Sequence, residues 1–320
     1  MSPLPVTLRG PISAPAAAAI RDLAGRAAAT DGVAPLSEQP LLRLIAPGDD
    51  GTADDTVHLL AYDGAAADSA SSGALVGYAQ LDLGAPGAAG LELVVDPAAR
   101  RRGIGRGLLD AARALAADGP EDPDGRRFTV WAHGDLPAAR ALAAGAGLGV
   151  VRELWLMSLD LTGWPAAEPA PRPRGVVVRA FVPGRDEDEW RRANARAFAS
   201  HPEQGRITRQ DLDARMAEPW FDPAGFLLAE RDGVLLGSVW TKVHLADGTQ
   251  PAAGEIYVIS VDPDAQGLGL GGALLHEGLD HLARRGLTRA ILYCDADNEI
   301  AIRAYTRVGF RRAGVDVQFG

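Results

Sequence analysis

The sequence predicts two tandem domains of the α/β class, each an α+β arrangement around one mixed sheet. Three observations predict this fold class. The length of 320 residues suits two domains of ordinary size. Segments of strand character and of helix character are mixed in both halves. One composite pattern also occurs twice, around Asp96-Pro97 and around Asp262-Pro263, so the halves are related repeats.

Each copy of the repeat contains a β-branched strand, an Asp-Pro turn, a glycine-rich loop and the start of an apolar helix. The first copy extends from Leu93 to Gly105, and the second extends from Ile259 to Gly271. Backbone N–H groups at the start of a helix bind phosphate well, and glycine leaves these groups exposed. The pattern therefore predicts a phosphate-binding loop in each half.

A dinucleotide-binding loop is the main alternative for the glycines between Gly103 and Gly107. That loop opens directly from its strand and needs an acidic residue about 20 positions later, at the end of a second strand. Here several residues separate the strand from the glycines, and Asp124 lies in a Pro-Asp-Gly loop. These features favour a different kind of phosphate loop.

The other elements follow from hydrophobic periodicity and from turn residues. In the first half we predict helices over 14–29, 105–118 and 136–144, and strands over 57–62, 74–83, 91–95, 128–132 and 153–160. In the second half we predict helices over 186–199, 208–216, 270–285 and 298–307, and strands over 176–181, 225–231, 234–244, 254–261, 289–294 and 310–318. The proline-rich segment 163–174 is unsuited to either structure and predicts a linker between domains 1–162 and 175–320.

Composition limits the classes of partner. No run of about 18 apolar residues indicates a membrane span, and residues 1–5 lack the features of a signal peptide. The single cysteine, Cys294, fits a reducing compartment. A net charge of −10 argues against nucleic acid, which requires a basic face. We therefore expect a cytoplasmic, monomeric protein with a small-molecule substrate and no nucleic-acid or membrane partner.

The repeated loop resembles that of the GCN5-related N-acetyltransferases (GNAT, acyl-CoA N-acyltransferases), which reads Gln/Arg-x-x-Gly-x-Gly/Ala after a strand. The resemblance implies two tandem GNAT domains, with acetyl-CoA as co-substrate and no metal. It implies cofactor contacts from Leu93, Val94, Val95, Arg101, Arg102, Gly103, Ile104, Gly105 and Arg106 in the first half. In the second half it implies contacts from Ile259, Ser260, Val261, Gln266, Gly267, Leu268, Gly269, Leu270, Gly271, Gly272, Asn298, Glu299, Ile300, Ala301, Ile302 and Arg303.

One departure from the family concerns the second loop. Gly267-Leu268 stands where many members have two basic residues. Phosphates would there depend on backbone N–H groups and on the helix dipole rather than on side-chain charge.

The two halves differ in the side chains that acetyl transfer requires, namely a base for the amine and an acid for the thiolate. The second half has Tyr305 before Gly309-Phe310, where the family places its general acid, and Glu255 before the loop, where many members place the base. Alignment of the halves puts Ala143 opposite Tyr305, Leu136 opposite Asn298 and Ala89 opposite Glu255. We therefore expect catalysis in the second half. The first half would bind acetyl-CoA without turnover, or serve as a scaffold.

Segments 197–205, 220–226 and 240–244 resemble one branch of that family, tandem acetyltransferases of actinobacteria. These enzymes acetylate the cysteinyl amine of a cysteine–glucosamine–inositol pseudodisaccharide. The match implies substrate contacts from Glu38, Glu203, Lys242, Glu255 and Tyr293, whose polar groups suit an acceptor with many hydroxyls. Lys242 is the one lysine among 32 basic residues, which fits either chance in a GC-rich genome or a site that arginine cannot serve.

Alternatives remain open at this stage. The acceptor could be another amine, such as an aminoglycoside, a polyamine or a protein N-terminus, or the protein could be a non-catalytic acyl-CoA sensor. Glu255 could be a solvated strand residue and Tyr305 a core residue. His58 and His133 show no partner pattern, and His276 and His281 do not share a helical face, so no metal pair is expected. Cys294 fits a small core residue better than a nucleophile.

Overall fold

A computed structural model describes residues 5–10, 12–44, 55–63, 73–84, 87–117, 127–165, 172–199, 204–246 and 251–320. The chain forms two compact units. Unit 1 comprises Met1–Leu154 together with Val315–Gly320, and unit 2 comprises Trp155–Gly314. Residues 166–171 of the predicted linker lie outside the described ranges.

The order of strands and helices follows the sequence prediction, apart from two short elements. The strands are β1 (Val6–Arg9), β2 (Thr56–Tyr62), β3 (Leu75–Asp82), β4 (Ala88–Val95), β5 (Arg127–Ala132), β6 (Val150–Asp160), β7 (Val177–Ala180), β8 (Phe226–Arg231), β9 (Val234–His244), β10 (Ala253–Val261), β11 (Arg289–Asp295) and β12 (Arg311–Phe319). The helices are α1 (Ala14–Asp31), α2 (Glu38–Arg43), α3 (Ile104–Ala117), α4 (Pro137–Gly145), α5 (Glu187–Ala197), α6 (Arg209–Met216), α7 (Leu270–Arg284) and α8 (Glu299–Val308).

In unit 1, strands β1 to β5 lie side by side in chain order. The pairs up to β4 are antiparallel, β4 and β5 are parallel, and the end of β12 joins β5 with Val317 opposite Ala132. Helix α3 packs on one face, where a Cβ at Gly77 would meet Ile104. Helix α1 packs on the other face, where Ile20 joins the core around Tyr78. Apolar side chains therefore cover both faces of this sheet.

In unit 2, the sheet order is β7-β8-β9-β10-β11, and the end of β6 adjoins β11. Helix α7 lies on one face, with Leu274, Leu279 and Leu282 in the core. The other face carries an aromatic cluster in which Trp190 and Trp240 are fully buried. Each helix has one apolar stripe, and successive strand residues alternate between the two faces of the sheet, so both faces are covered by apolar packing.

Two short elements were missing from the predicted set. Strand β1 has only four residues, and helix α2 has six with Pro40 inside it. Proline is tolerated there because the first-turn N–H groups of a helix have no intrahelical acceptor. Periodicity cannot identify elements this short. Among the described helices, none has the length and apolarity that a bilayer span requires.

Candidate active site

Glu255 and Lys242 are neighbours on the face of the unit 2 sheet opposite α7. The β9–β10 register places the two residues directly opposite each other. The parallel register places Ile291 of β11 on the other side of Glu255. Because strand residues alternate between faces, Tyr293 lies on this same face, two positions beyond Ile291. The fold therefore brings three predicted site residues together: Lys242, Glu255 and Tyr293.

The Glu255 carboxylate contacts a histidine that the sequence analysis gave no role. His244 Nε2 lies 2.6 Å from Glu255 Oε2. The Glu255 side chain is 9% exposed, whereas that of His244 is 40% exposed. His244 follows Lys242 by two residues on β9, so strand alternation alone could have placed it on this face.

Aromatic rings flank Lys242. Its Nζ lies 4.5 Å from the centroid of the Trp220 ring and 5.2 Å from that of Tyr257. The Tyr257 hydroxyl accepts a hydrogen bond of 2.7 Å from Nε of Arg215 on α6. Cations over aromatic faces are stabilised by the ring quadrupole. This face thus combines a carboxylate, cations and rings, a combination suited to a polar, hydroxyl-rich ligand.

Strand β10 separates from β11 just after Glu255. In the described strands, the β10–β11 ladder contains the pairs Gly254–Ala290 and Glu255–Ile291, although β10 continues to Val261. The register of β10 with β9 shifts between Ile256 and Val258, which makes Tyr257 a bulge. Backbone groups of β10 beyond Glu255 therefore face the gap outside that ladder.

Tyr305 lies on α8, which packs on the opposite face from Glu255, against the core that contains Cys294 and Phe310. Its ring lies edge-on to Phe310, with centroids 6.0 Å apart. Burial, and then the nearby Cys294, raise the pKa of the Tyr305 hydroxyl well above its usual range. The hydroxyl therefore keeps its proton at neutral pH. Burial also raises the pKa of the Cys294 thiol, to about 11, so Cys294 is not a thiolate nucleophile.

The second glycine loop leads directly into α7. Gly267 and Gly269 have φ of +79° and +78°, a left-handed conformation that favours glycine. The N–H of Ala273 makes the first bond of the helix, to the Gly269 carbonyl. The N–H groups of Leu270, Gly271 and Gly272 precede that bond, and a Cβ built at Gly272 would meet no other segment of the described structure within 4 Å. The geometry fits an anion at the helix start.

The other predicted cofactor residues of unit 2 lie at both ends of this loop and at the start of α8. Ile259, Ser260 and Val261 end β10, Gln266 follows a short helical turn, and the Leu268 side chain is 45% exposed. Asn298 caps α8, because its Oδ1 accepts the Ala301 N–H at 3.1 Å. Glu299 pairs with Arg303, Ile300 is exposed, and Ala301 and Ile302 pack on the core.

The first glycine loop has the same backbone shape but more side-chain charge. Gly103 has a φ of +84° and Arg101 one of +64°. Arg102 Nη2 lies 2.7 Å from Asp63, and Arg106 Nε lies 2.7 Å from Asp110. These ion pairs offset part of the positive charge predicted for this loop. Among the remaining predicted residues, Leu93, Val94 and Val95 end β4, and Ile104 and Gly105 open α3.

Strand pairing corrects one correspondence that the sequence alignment of the two halves predicts. Asp82 pairs with Gly90 in unit 1, where Lys242 pairs with Glu255 in unit 2. The counterpart of Glu255 is therefore Gly90, and the predicted counterpart Ala89 is wrong by one residue. The bulge at Tyr257 adds one residue to β10, and a count along the sequence cannot detect it. Neither Gly90 nor Ala89 supplies a carboxylate.

The face of unit 1 that corresponds to the Glu255 face is filled by polar contacts. Glu92 accepts hydrogen bonds of 2.6 Å from the Ser37 N–H and from the Ser37 hydroxyl. His133 Nε2 lies 3.2 Å from Glu92, and its Nδ1 lies 2.9 Å from Asp316. His58 Nδ1 is 2.7 Å from the Tyr78 hydroxyl. The sequence shows no partner pattern for His58 and His133 because these partners are distant in sequence.

Two predicted substrate residues, Glu38 and Glu203, are not among the described residues of this cluster. Glu38 is the first residue of α2 in unit 1. Glu203 lies outside the described residues, which resume at Gln204. Across the described ranges, no group of three or more His, Cys, Asp or Glu side chains could hold a metal ion.

Comparison with known proteins identifies both halves. The model of the acetyltransferase (GNAT) family matches residues 188–310, and that of an acetyltransferase (GNAT) domain matches residues 54–142. A mycothiol acetyltransferase of Cellulomonas flavigena is 56% identical, over 98% of this chain and 88% of that protein. The mycothiol acetyltransferase of Streptomyces coelicolor is 48% identical, over 94% of this chain and 90% of that protein.

Solved structures show the same architecture. A GCN5-related N-acetyltransferase from Sphaerobacter thermophilus is 25% identical, with a TM-score of 0.65, over 98% of this chain and 94% of that one. A tandem GNAT protein from the clavulanic acid biosynthesis pathway is 22% identical, with a TM-score of 0.66, over 98% of both chains. The predicted fold class, two tandem GNAT domains with mixed sheets, is confirmed.

Proposed function

Since the chain belongs to the mycothiol acetyltransferases, tandem members of the GNAT family, we propose that unit 2 transfers the acetyl group of acetyl-CoA to the cysteinyl amine of cysteine–glucosamine–inositol (desacetylmycothiol). The products are mycothiol and CoA. Membership of this family makes the protein an acetyl-CoA-dependent N-acetyltransferase. The residues that carry out each step are our proposal.

One observation carries the assignment to unit 2: the buried Glu255 carboxylate lies where β10 separates from β11. An amine in that gap is beside a base, and the N–H groups of the segment Ile259–Val261 that point away from β9 would polarise a carbonyl. Glu255 accepts the ammonium proton, directly or through one water molecule. Lys242 and Tyr293 share its face and would hold acceptor hydroxyls. Glu38 and Glu203 are proposed as acceptor contacts on the sequence resemblance alone.

Acetyl-CoA is held, in this proposal, by the start of α7. The open N–H groups of Leu270, Gly271 and Gly272 suit the pyrophosphate, and Gln266, Gly267, Leu268 and Gly269 shape the loop around it. Residues 298–303, at the start of α8, follow β11, which is the strand across the gap from β10. Neutral Tyr305 donates its proton to the departing thiolate, since burial keeps its hydroxyl protonated.

We propose that unit 1 binds acetyl-CoA without turnover. Its glycine loop, Arg101–Arg106, has the phosphate-binding shape, with Leu93–Val95 as the adjacent strand. The other requirements of the reaction are missing. Gly90 replaces Glu255, the buried Ala143 is aligned with Tyr305, and Ser37 hydrogen-bonded to Glu92 fills the corresponding face. The β4–β5 ladder also stays paired up to Glu92–Trp131, so no gap opens after Gly90.

The proposed domain limits 1–162 and 175–320 differ from the compact units in two segments, since 155–162 belongs to unit 2 and 315–320 belongs to unit 1. A monomeric state and a cytoplasmic location remain part of the proposal. The test of the function is acetyl transfer by the purified protein to cysteine–glucosamine–inositol, with an aminoglycoside and a peptide amine as parallel acceptors. We expect kcat/KM for the pseudodisaccharide to exceed the other two by at least about tenfold, or about 1.4 kcal/mol of transition-state binding. Equal rates on all three amines would contradict the proposed identity of the acceptor, but the protein would still be an N-acetyltransferase.

A further inference from the structure

His244 provides a contact between the buried Glu255 carboxylate and solvent. Its Nε2 lies 2.6 Å from Glu255 Oε2. Two-fifths of the His244 side chain is exposed, against less than a tenth of the Glu255 side chain. A base that has taken a proton must lose it before the next turnover. The exposure of the two side chains shows which one can release a proton to water.

We propose that His244 carries the amine proton from Glu255 to solvent after each acetyl transfer. This inference rests on the proposed base role of Glu255. Histidine suits the task, because its two ring nitrogens can take up a proton on one side of the ring and release one on the other. Two charged residues lie beside His244 on this face. Lys242 is two residues earlier on β9, and Glu255 is opposite Lys242 on β10.

The proton balance of the path is simple. An ammonium and a thioester give an amide, a thiol and one proton. The ammonium loses two protons on becoming an amide: one ends on the CoA sulfur, because Tyr305 gives its proton to the thiolate and is reprotonated by the tetrahedral adduct, and Glu255 takes the other. While Glu255 is a carboxylate, the Nε2–H of His244 donates to it across 2.6 Å. Once Glu255 is protonated, solvent exchange gives His244 the tautomer with Nδ1–H and a bare Nε2, and the Glu255 carboxyl passes its proton to that Nε2. The imidazolium then loses the proton on Nδ1 to water, which leaves the Nε2–H that donates to the restored Glu255 carboxylate. Along the path from Glu255 to solvent, only N–H and O–H bonds form or break, and no oxidant, metal or other reactant is needed.

The competing role for His244 is that it merely holds the Glu255 carboxylate in position. H244Q separates the two roles, since glutamine can donate a hydrogen bond to Glu255 but cannot carry a proton. In the relay, the first turnover proceeds normally because Glu255 can keep one proton. Later turnovers slow roughly tenfold or more. A positioned acid or base usually contributes about 10²–10⁴-fold, so the expected loss is at or below the lower end of that range.

The experiment is a rapid-quench time course with saturating acetyl-CoA and acceptor near neutral pH, on wild type, H244Q and H244A. We expect both variants to form about one product per active site at the wild-type rate and then to slow. Added imidazole should restore the steady rate of H244A in proportion to its concentration. H276Q, at a histidine on α7 that bonds the Gly272 carbonyl, serves as the control and should show neither effect.

Two results would overturn the relay. In one, H244Q keeps the wild-type kcat at every buffer concentration. In the other, the first turnover itself slows and imidazole restores nothing, which would make His244 a positioning residue only. Should H244A not fold, H244Q with a series of buffer concentrations gives the same decision. E255Q is measured in parallel, because an E255Q variant with full activity would instead refute the proposed base and leave His244 with no proton to carry.

Discussion

Lys242 lies directly across the β9–β10 ladder from Glu255, with its ammonium 4.5 Å from the centre of the Trp220 ring. A cation and a carboxylate thus adjoin each other on one face of unit 2, beside the gap between β10 and β11. The pair is the centre of the proposed acceptor site.

E255Q should slow amine acetylation on the order of 10²–10⁴-fold near neutral pH, because the ammonium loses its base. The loss should shrink as pH rises and the amine deprotonates without help. Initial rates of wild type and variant from pH 6 to 10 check this, with circular dichroism to confirm the fold. A loss under about tenfold that does not change with pH would remove Glu255 from the base role.

Y305F should lower kcat by roughly tenfold or more while the KM for acetyl-CoA changes little, since the phenol acts on the leaving thiolate. Y293F, on the opposite face, should mainly raise the KM for the acceptor. Because burial raises the pKa of Tyr305 above its usual value of about 10, wild-type activity should not fall through ionisation of this group below that pH. Equal kinetic effects of the two variants would argue against Tyr305 as the acid.

The two glycine loops provide a matched pair of variants, G271E and G105E. A Cβ at either position meets only ordinary contacts, near 3.5 Å at Gly105 and 3.6 Å at Gly271, so neither change need disrupt the backbone. Each adds a negative charge where phosphate is expected. G271E should abolish turnover. G105E should keep turnover and reduce acetyl-CoA binding from two molecules per chain to one.

Isothermal titration calorimetry and steady-state rates measure the two outcomes separately. Loss of turnover in a folded G105E variant would contradict the assignment of catalysis to unit 2. If wild type bound only one acetyl-CoA per chain, the proposal that unit 1 also binds acetyl-CoA would be wrong.

K242A should raise the acceptor KM about tenfold to a hundredfold. The variant loses a hydrogen bond from a charged group, and such a bond contributes about 1.5–3 kcal/mol. The KM for acetyl-CoA should stay nearly constant. K242R should not restore function, since a planar guanidinium between the Trp220 and Tyr257 rings places its donors differently. An unchanged acceptor KM in both variants would show that Lys242 does not contact the acceptor.

His133 should make the stability of unit 1 depend on pH. Burial alone lowers the pKa of His133, but its hydrogen bonds to Asp316 and Glu92 outweigh burial and raise the pKa to about 10. Between the unfolded value near 6.5 and about 10, the folded state binds more protons than the unfolded state. The stabilisation is therefore complete below about pH 6.5 and is lost as pH rises through 10.

H133Q should abolish this alkaline loss of stability and be less stable than wild type near neutral pH. Hydrogen exchange of β4 and β5 peptides, measured at several pH values, reports on unit 1 alone. The same pH dependence in wild type and H133Q would show that the proton on His133 does not contribute.

The sequence by itself determined the features that depend on local pattern. The two Asp-Pro and glycine-loop repeats, the apolar stripes of α3 and α7, and the span 234–244 of β9 are all written in short segments, where periodicity and turn residues act directly. The contrast between Tyr305 and Ala143 was also visible, because the two halves share one order of elements.

The tertiary structure alone decided which distant residues meet. The bulge at Tyr257 shifted the counterpart of Glu255 from Ala89 to Gly90, and a bulge arises from strand pairing rather than from composition. His133 meets Asp316, 183 positions later in the chain. His244 meets Glu255 because a hairpin returns the chain beside itself. Such contacts form only when the sheet is assembled, so the partners of a buried polar group cannot be read from its sequence neighbours.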